Sequence, residues 1–224
     1  MNTTLSGIVI AVWVFAGTVS ASEPTEPRGS AKAGEKLASQ GAGAVAACAS
    51  CHGAQGEGQA GAGFPRLAGF SEYYLRKQLK DYQTGHRSNQ VMQPLDKTMS
   101  PQQIADAAAY YSSLPIQPLP APEPGDPAVL KRGQTLAAHG DESKQLQACA
   151  SCHGPQGMGL PPAIPALAGQ PANYLKAQLQ AWKLGTRKND AGGLMSAVAA
   201  KLDDKDVDAV VQYYTRARPV RFEP

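Results

Sequence analysis

The pentapeptide Cys-Ala-Ser-Cys-His occurs twice, at 48–52 and at 149–153, and uses all four cysteines of the chain. No other feature constrains the fold so tightly. Two thiols separated by two residues and followed at once by a histidine are the arrangement for covalent haem attachment, in which the histidine is held against the iron. A zinc site would need four ligands at close spacing, and here the pairs lie a whole domain apart. A redox dithiol does not require the trailing histidine, and the βαβ setting of a thioredoxin-like motif is missing. Cys48, Cys51, Cys149 and Cys152 are therefore read as haem-attaching, and His52 and His153 as proximal iron ligands.

Duplication extends beyond these motifs. Gly34 and Leu37 recur as Gly133 and Leu136, and Phe64-Pro65-Arg66-Leu67-Ala68-Gly69 recurs as Ile164-Pro165-Ala166-Leu167-Ala168-Gly169. Tyr74, Gln78, Gly85, Arg87 and Asn89 return at 174, 178, 185, 187 and 189, and Tyr110-Tyr111 returns at 213–214. Two units of domain size in 224 residues describe a tandem duplication rather than a solenoid. No stretch alternates as a strand does, so the expected class is all-α: two domains, 30–114 and 128–224. Between them, residues 115–127 carry six prolines and form a stiff connector. Ser30, Ser71 and the Ser100-Pro101-Gln102-Gln103 box mark helix starts, and Asp126-Pro127 opens a helix as Ser100-Pro101 does.

Residues 1–21 read as a secretory signal: Leu5–Val19 is apolar, and Val19-Ser20-Ala21 offers small residues for cleavage after Ala21. No Lys or Arg precedes the apolar run, and an uncleaved N-terminal anchor is the alternative. Either way the body of the protein is expected in the periplasm, where such haems are attached. Residues 22–29 are polar and proline-bearing, a disordered leader. The net charge of +3 is small and interspersed, which argues against nucleic acid. Two ferric haems with ionised propionates would bring it to about +1, and two ferrous ones to about −1, so overall charge steers partners weakly.

The sixth iron ligand decides between carrier and enzyme, because a methionine closes the site whereas an open face admits small molecules. Aligning the last helix caps, Ser100 and Asp203, places Met92 opposite Met195, and these are the only methionines that coincide. Met99 falls opposite Leu202, Met158 follows His153 too closely, His86 falls opposite Thr186, and His139 precedes its own motif. Met92 and Met195 are thus the expected ligands. Pro65 and Pro165 lie thirteen and twelve residues after the histidines. They are either turn prolines or carbonyl acceptors for the histidine Nδ1 proton. Arg66, Arg87 and Arg187 fit either propionate pairing or a solvated surface. Tyr74, Tyr174 and Trp182 are expected to pack on porphyrin. Haem supplies apolar area that such small domains lack, so the apoprotein should fold poorly.

The order of haem motif, Pro-x-Leu-Ala-Gly segment, Tyr-Leu-x-x-Gln-Leu helix, methionine loop and Tyr-Tyr helix resembles cytochrome c4, a family of dihaem periplasmic class I c-type cytochromes. The resemblance runs from Ser30 to Tyr214 and includes residues 197–202. It implies two cytochrome c folds with haems facing across the domain interface, and iron held by His52 with Met92 and by His153 with Met195. It also assigns Gly34 and Gly133 to a close crossing of the first and last helices. The expected function is electron carriage between redox protein partners such as a dehydrogenase and a terminal oxidase, with no small-molecule substrate and with peripheral membrane association left open. The rivals are a subunit of a larger redox complex and a dihaem peroxidase or thiosulfate-oxidising enzyme.

Overall fold

In the computed structural model, residues 26–120 and 122–221 are described; the expected signal segment and the first part of the leader lie outside them. Within these residues the chain is helical, with isolated β-bridges and no strand. The first half runs α1 (Ala31–Gln40), α2 (Ala49–His52), α3 (Glu72–Thr84), α4 (Met92–Asp96) and α5 (Pro101–Ser113). The second runs α6 (Pro127–His139), α7 (Ala150–His153), α8 (Ala172–Lys183), α9 (Leu194–Lys201) and α10 (Asp204–Arg216).

Local chemistry sets these boundaries. Ser100 Oγ accepts from the Gln103 N–H while Gln103 Oε1 accepts from the Ser100 N–H, and Pro101 fills the first helical position. Asp203 caps α10 with one bond from the Asp206 N–H, and Asp126 and Ser71 cap α6 and α3. Gly85, left-handed at φ 78°, ends α3.

In each half the first helix crosses the last through a glycine. A methyl group on Gly34 would stand 2.0 Å from the Asp106 carbonyl oxygen, and one on Gly133 would stand 2.1 Å from that of Ala209. The crossing brings Leu37, Val45, Met99 and Ile104 together in the first domain, and Leu136, Leu146, Leu202, Val207 and Val210 in the second. Asp106 also accepts from the Ser30 N–H at 2.8 Å, which pins the start of α1 to α5. Residues 26–29 lie along the first domain, where Arg76 donates to Pro27 O and Gln102 to Arg28 O. At the other end Arg221 reaches back to the Ser112 and Leu114 carbonyls of the first domain.

No helix among the described residues is long and apolar enough to cross a membrane.

Candidate haem sites and the interface between them

Each Cys-x-x-Cys-His motif is a single helical turn. Cys48 and Cys149 adopt nearly identical right-handed helical backbones, and the N–H groups of His52 and His153 donate to Cys48 O and Cys149 O at 2.9 Å. That turn places both thiols and the imidazole of each motif on one short element. Cys48, Cys51 and Cys149 are half-buried and Cys152 is exposed. Burial pushes the Cys48 and Cys149 thiols above their ordinary range, so neither is tuned as a redox thiolate.

Both histidines are buried and oriented alike. His52 Nδ1 lies 2.9 Å from Pro65 O, and His153 Nδ1 lies 2.8 Å from Pro165 O. A carbonyl oxygen only accepts, so Nδ1 carries the proton in each ring and Nε2 is left with a free lone pair. Burial holds both imidazoles below their usual range, in the neutral form a metal requires. The Pro65 and Pro165 carbonyls are these acceptors. The glycine-rich loops return the chain to them, with Gly58 and Gly159 donating back to the histidine carbonyls at 2.8 and 2.7 Å.

Met92 and Met195 occupy equivalent, half-buried places in the first turns of α4 and α9, each on the helix that precedes the terminal one. Asn89 Oδ1 accepts from the Val91 and Met92 N–H groups at 2.9 Å, and Asp190 steadies the α9 turn through the Ser196 N–H. The competing residues go elsewhere. Met99 is buried in the first core, while His86 and His139 are exposed.

Neither Arg66, Arg87 nor Arg187 is solvated. They are 1%, 5% and 4% exposed, which corrects the surface alternative. Arg87 and Arg187 face each other in an antiparallel bridge between the halves, closed by Ser88 N–H to Thr186 O at 3.0 Å and Lys188 N–H to His86 O at 2.7 Å. Each guanidinium donates to both Gln78 Oε1 and Gln178 Oε1, at 2.8–3.0 Å. Arg87 also donates to Tyr174 Oη at 2.9 Å, so Tyr174 serves the interface as well as lining its own domain. Arg87 stacks on Tyr82 and Arg187 on Trp182, at 4.6 and 4.1 Å from the ring centroids.

Sequence reasoning missed three groups: buried Gln78 with half-buried Gln178, buried Asp96, and buried Gln170. The glutamine pair was visible in the repeat but carried no charge to mark it. Asp96 and Gln170 stand opposite Ala199 and Phe70, so a search for coincidences passes over them.

These residues suit two haem groups. No carboxylate of the described residues lies within 4.0 Å of the Arg87 or Arg187 guanidinium, although two buried cations call for anions. Trp182 Nε1–H is buried without an acceptor. Propionates would meet both needs. Each half adds a neutral imidazole with a free Nε2 beside two thiols.

Comparison with known proteins agrees. A sequence model described as cytochrome c matches residues 31–115 and again 130–215. Over 183 residues the chain is 44% identical to a thiosulfate dehydrogenase electron acceptor of Stutzerimonas stutzeri, covering 81% of this chain and 84% of that protein. Reduced recombinant cytochrome c4 from Pseudomonas stutzeri superposes with a TM-score of 0.73 at 36% identity, over 85% of this chain and 100% of that one. A thiosulfate dehydrogenase from Marichromatium purpuratum, as isolated, gives a TM-score of 0.78 at 41% identity over 84% of this chain, but over only 40% of that longer chain. The chain belongs to the cytochrome c family, as a tandem electron-transfer protein of the cytochrome c4 kind with two covalently bound haem c groups.

Proposed function

We propose that this protein is a periplasmic two-electron shuttle that accepts electrons singly from a thiosulfate dehydrogenase and hands them to a terminal oxidase or another acceptor. The haems supply reversible one-electron change at iron. Cys48 and Cys51 hold the first by thioether bonds and Cys149 and Cys152 the second, which prevents loss during repeated encounters. His52 and His153, oriented by the Pro65 and Pro165 carbonyls, would ligate the irons together with Met92 and Met195. Arg87, Arg187 and the Trp182 N–H receive propionates at the domain interface. The protein itself makes no bond to a substrate.

One observation carries this reading. The histidine-to-proline hydrogen bond and the methionine position are the same in both halves, so neither site is set apart for chemistry on a small molecule. The choice of donor is supported by likeness to a thiosulfate dehydrogenase electron acceptor. A second reading, a tightly bound subunit of such an enzyme, is favoured by the Marichromatium protein, in which a similar unit makes up 40% of a longer chain.

The ferric spectrum tests the sites: a far-red sulfur-to-iron charge-transfer band worth two sites per molecule is expected, and Met92→Ala or Met195→Ala should each remove half of it. Ready binding of carbon monoxide to the untreated protein would overturn closed sites. For the function, oxidised holoprotein should be reduced by thiosulfate only when a thiosulfate dehydrogenase is added. Reduction by thiosulfate alone with sustained turnover makes it the enzyme. A complex that survives gel filtration makes it a subunit.

A further inference from the structure

The two halves differ in one interface contact that reaches a hydrogen bond of a haem site. Arg66 and Phe70 in the first domain stand opposite Ala166 and Gln170 in the second. Gln170 is 2% exposed and reaches across to the backbone of Arg66. Its Oε1 accepts from the Arg66 N–H at 3.1 Å, and its Nε2 donates to Arg66 O at 3.1 Å. This two-point grip fixes which end of the side-chain amide is oxygen. The Arg66 guanidinium completes the contact, donating to Ala68 O in its own domain and to Ala168 O at 3.1 Å in the other.

The Arg66 N–H and the Pro65 carbonyl belong to one peptide group. A single planar amide therefore accepts from His52 Nδ1–H on its oxygen side and donates to Gln170 on its nitrogen side. Hydrogen bonds in such a chain polarise one another: donation from the N–H adds negative charge to the oxygen and strengthens what that oxygen accepts. The matching Pro165–Ala166 amide accepts from His153 in the same way, but the side chain at the mirror position is Phe70, which has no acceptor to offer.

We propose that Gln170 is a positioning residue of the second domain that tunes the haem of the first, acting through the Pro65–Arg66 peptide on His52. A stronger bond from Nδ1–H gives the imidazole more imidazolate character, favours the ferric state and lowers the potential of the N-terminal site. The same folded unit thereby gains two inequivalent potentials from one asymmetric contact, and only when the domains are docked. The proposal rests on His52 as the proximal ligand, a reading that fails separately if the unaltered holoprotein lacks a low-spin spectrum at both sites.

The experiment is a redox titration of haem-loaded Gln170→Met and Gln170→Glu, following the ferric haem methyl signals of each site by proton NMR. The sites are assigned by which set changes in Met92→Ala. Gln170→Met keeps the volume and removes the acceptor, so the N-terminal potential should rise while the C-terminal one stays in place. Gln170→Glu keeps an acceptor with more negative charge, so the N-terminal potential should fall. In the ferrous protein the Nδ1–H resonance of His52 should move in both variants, in opposite directions, and that of His153 in neither. Equal movement of both potentials would show mere loosening of the interface and overturn the proposal, as would no movement of the His52 resonance. An intact far-red band in each variant shows that both sites remain formed.

Discussion

Asp96 is fully buried with both carboxylate oxygens unpartnered, whereas Ala199, at the equivalent place in the second domain, is equally buried and apolar. Burial pushes its carboxyl up to about 7, against a smaller opposing pull from Arg87. The sign follows from proton counting. Below about pH 4 the group is protonated whether the chain is folded or not, and it costs nothing. Between about pH 4 and about pH 7 the folded state binds more protons than the unfolded one, so stability falls as pH rises; above that the penalty is constant. Asp96→Asn should therefore stabilise the holoprotein at about pH 8 by up to about 4 kcal/mol and have little effect at about pH 4. Urea unfolding at the two pH values measures this, and an equal gain at both would show that ionisation is not the cause. The residue also marks where the sequence is hard to read. The cysteines, histidines, prolines and methionines proposed for the haem sites stood out because they recur, while Asp96 and Gln170 occur in one half only and repetition hides them.

The helix crossings were legible for a different reason, since Gly34 and Gly133 recur in helices where alanine is otherwise frequent. Alanine is the better helix former by about 1 kcal/mol, so propensity alone predicts that Gly34→Ala stabilises α1. The structure reverses that expectation. The new methyl would meet the Asp106 carbonyl oxygen at 2.0 Å, and this oxygen belongs to the backbone of α5, which cannot swing aside as a side chain could. Separating the helices would open the core around Leu37, Met99 and Ile104. Gly34→Ala should cost about 3 kcal/mol or more, since overpacking and lost core contact add and outweigh the propensity gain. Gly61→Ala, where no atom lies within 4 Å of the added methyl, should stay within about 0.5 kcal/mol of the parent. Thermal melts of the haem-loaded variants compare them, and equal melting points would remove the crossing from the account. Helix starts were read just as directly, because Ser100, Asp126 and Asp203 cap through short-range hydrogen bonds encoded within three residues.

How the domains dock was the part least visible in the chain, since an arginine in a sequence does not reveal whether it meets water or its own mirror image. In the folded molecule Arg87 and Arg187 share acceptors: Gln78 Oε1 and Gln178 Oε1 each receive one N–H from each guanidinium. Removing one arginine leaves both glutamine oxygens still served by the other. Removing both strands the oxygens at a buried interface, where an unsatisfied acceptor costs about 1–3 kcal/mol. Asn189 Nδ2, 2.9 Å from Gln78 Oε1, covers only one of the two, and nothing equivalent reaches Gln178 from the first domain among the described residues. The substitutions should therefore not add. In a cycle of Arg87→Met, Arg187→Met and the double variant, the double loss should exceed the sum of the single losses by about 1–3 kcal/mol, within the range found for side chains sharing a network. Denaturant unfolding of the dihaem protein provides the four stabilities. Simple additivity would mean that the arginines act independently, each within its own domain, and that the shared glutamines do not bind the two halves into one body.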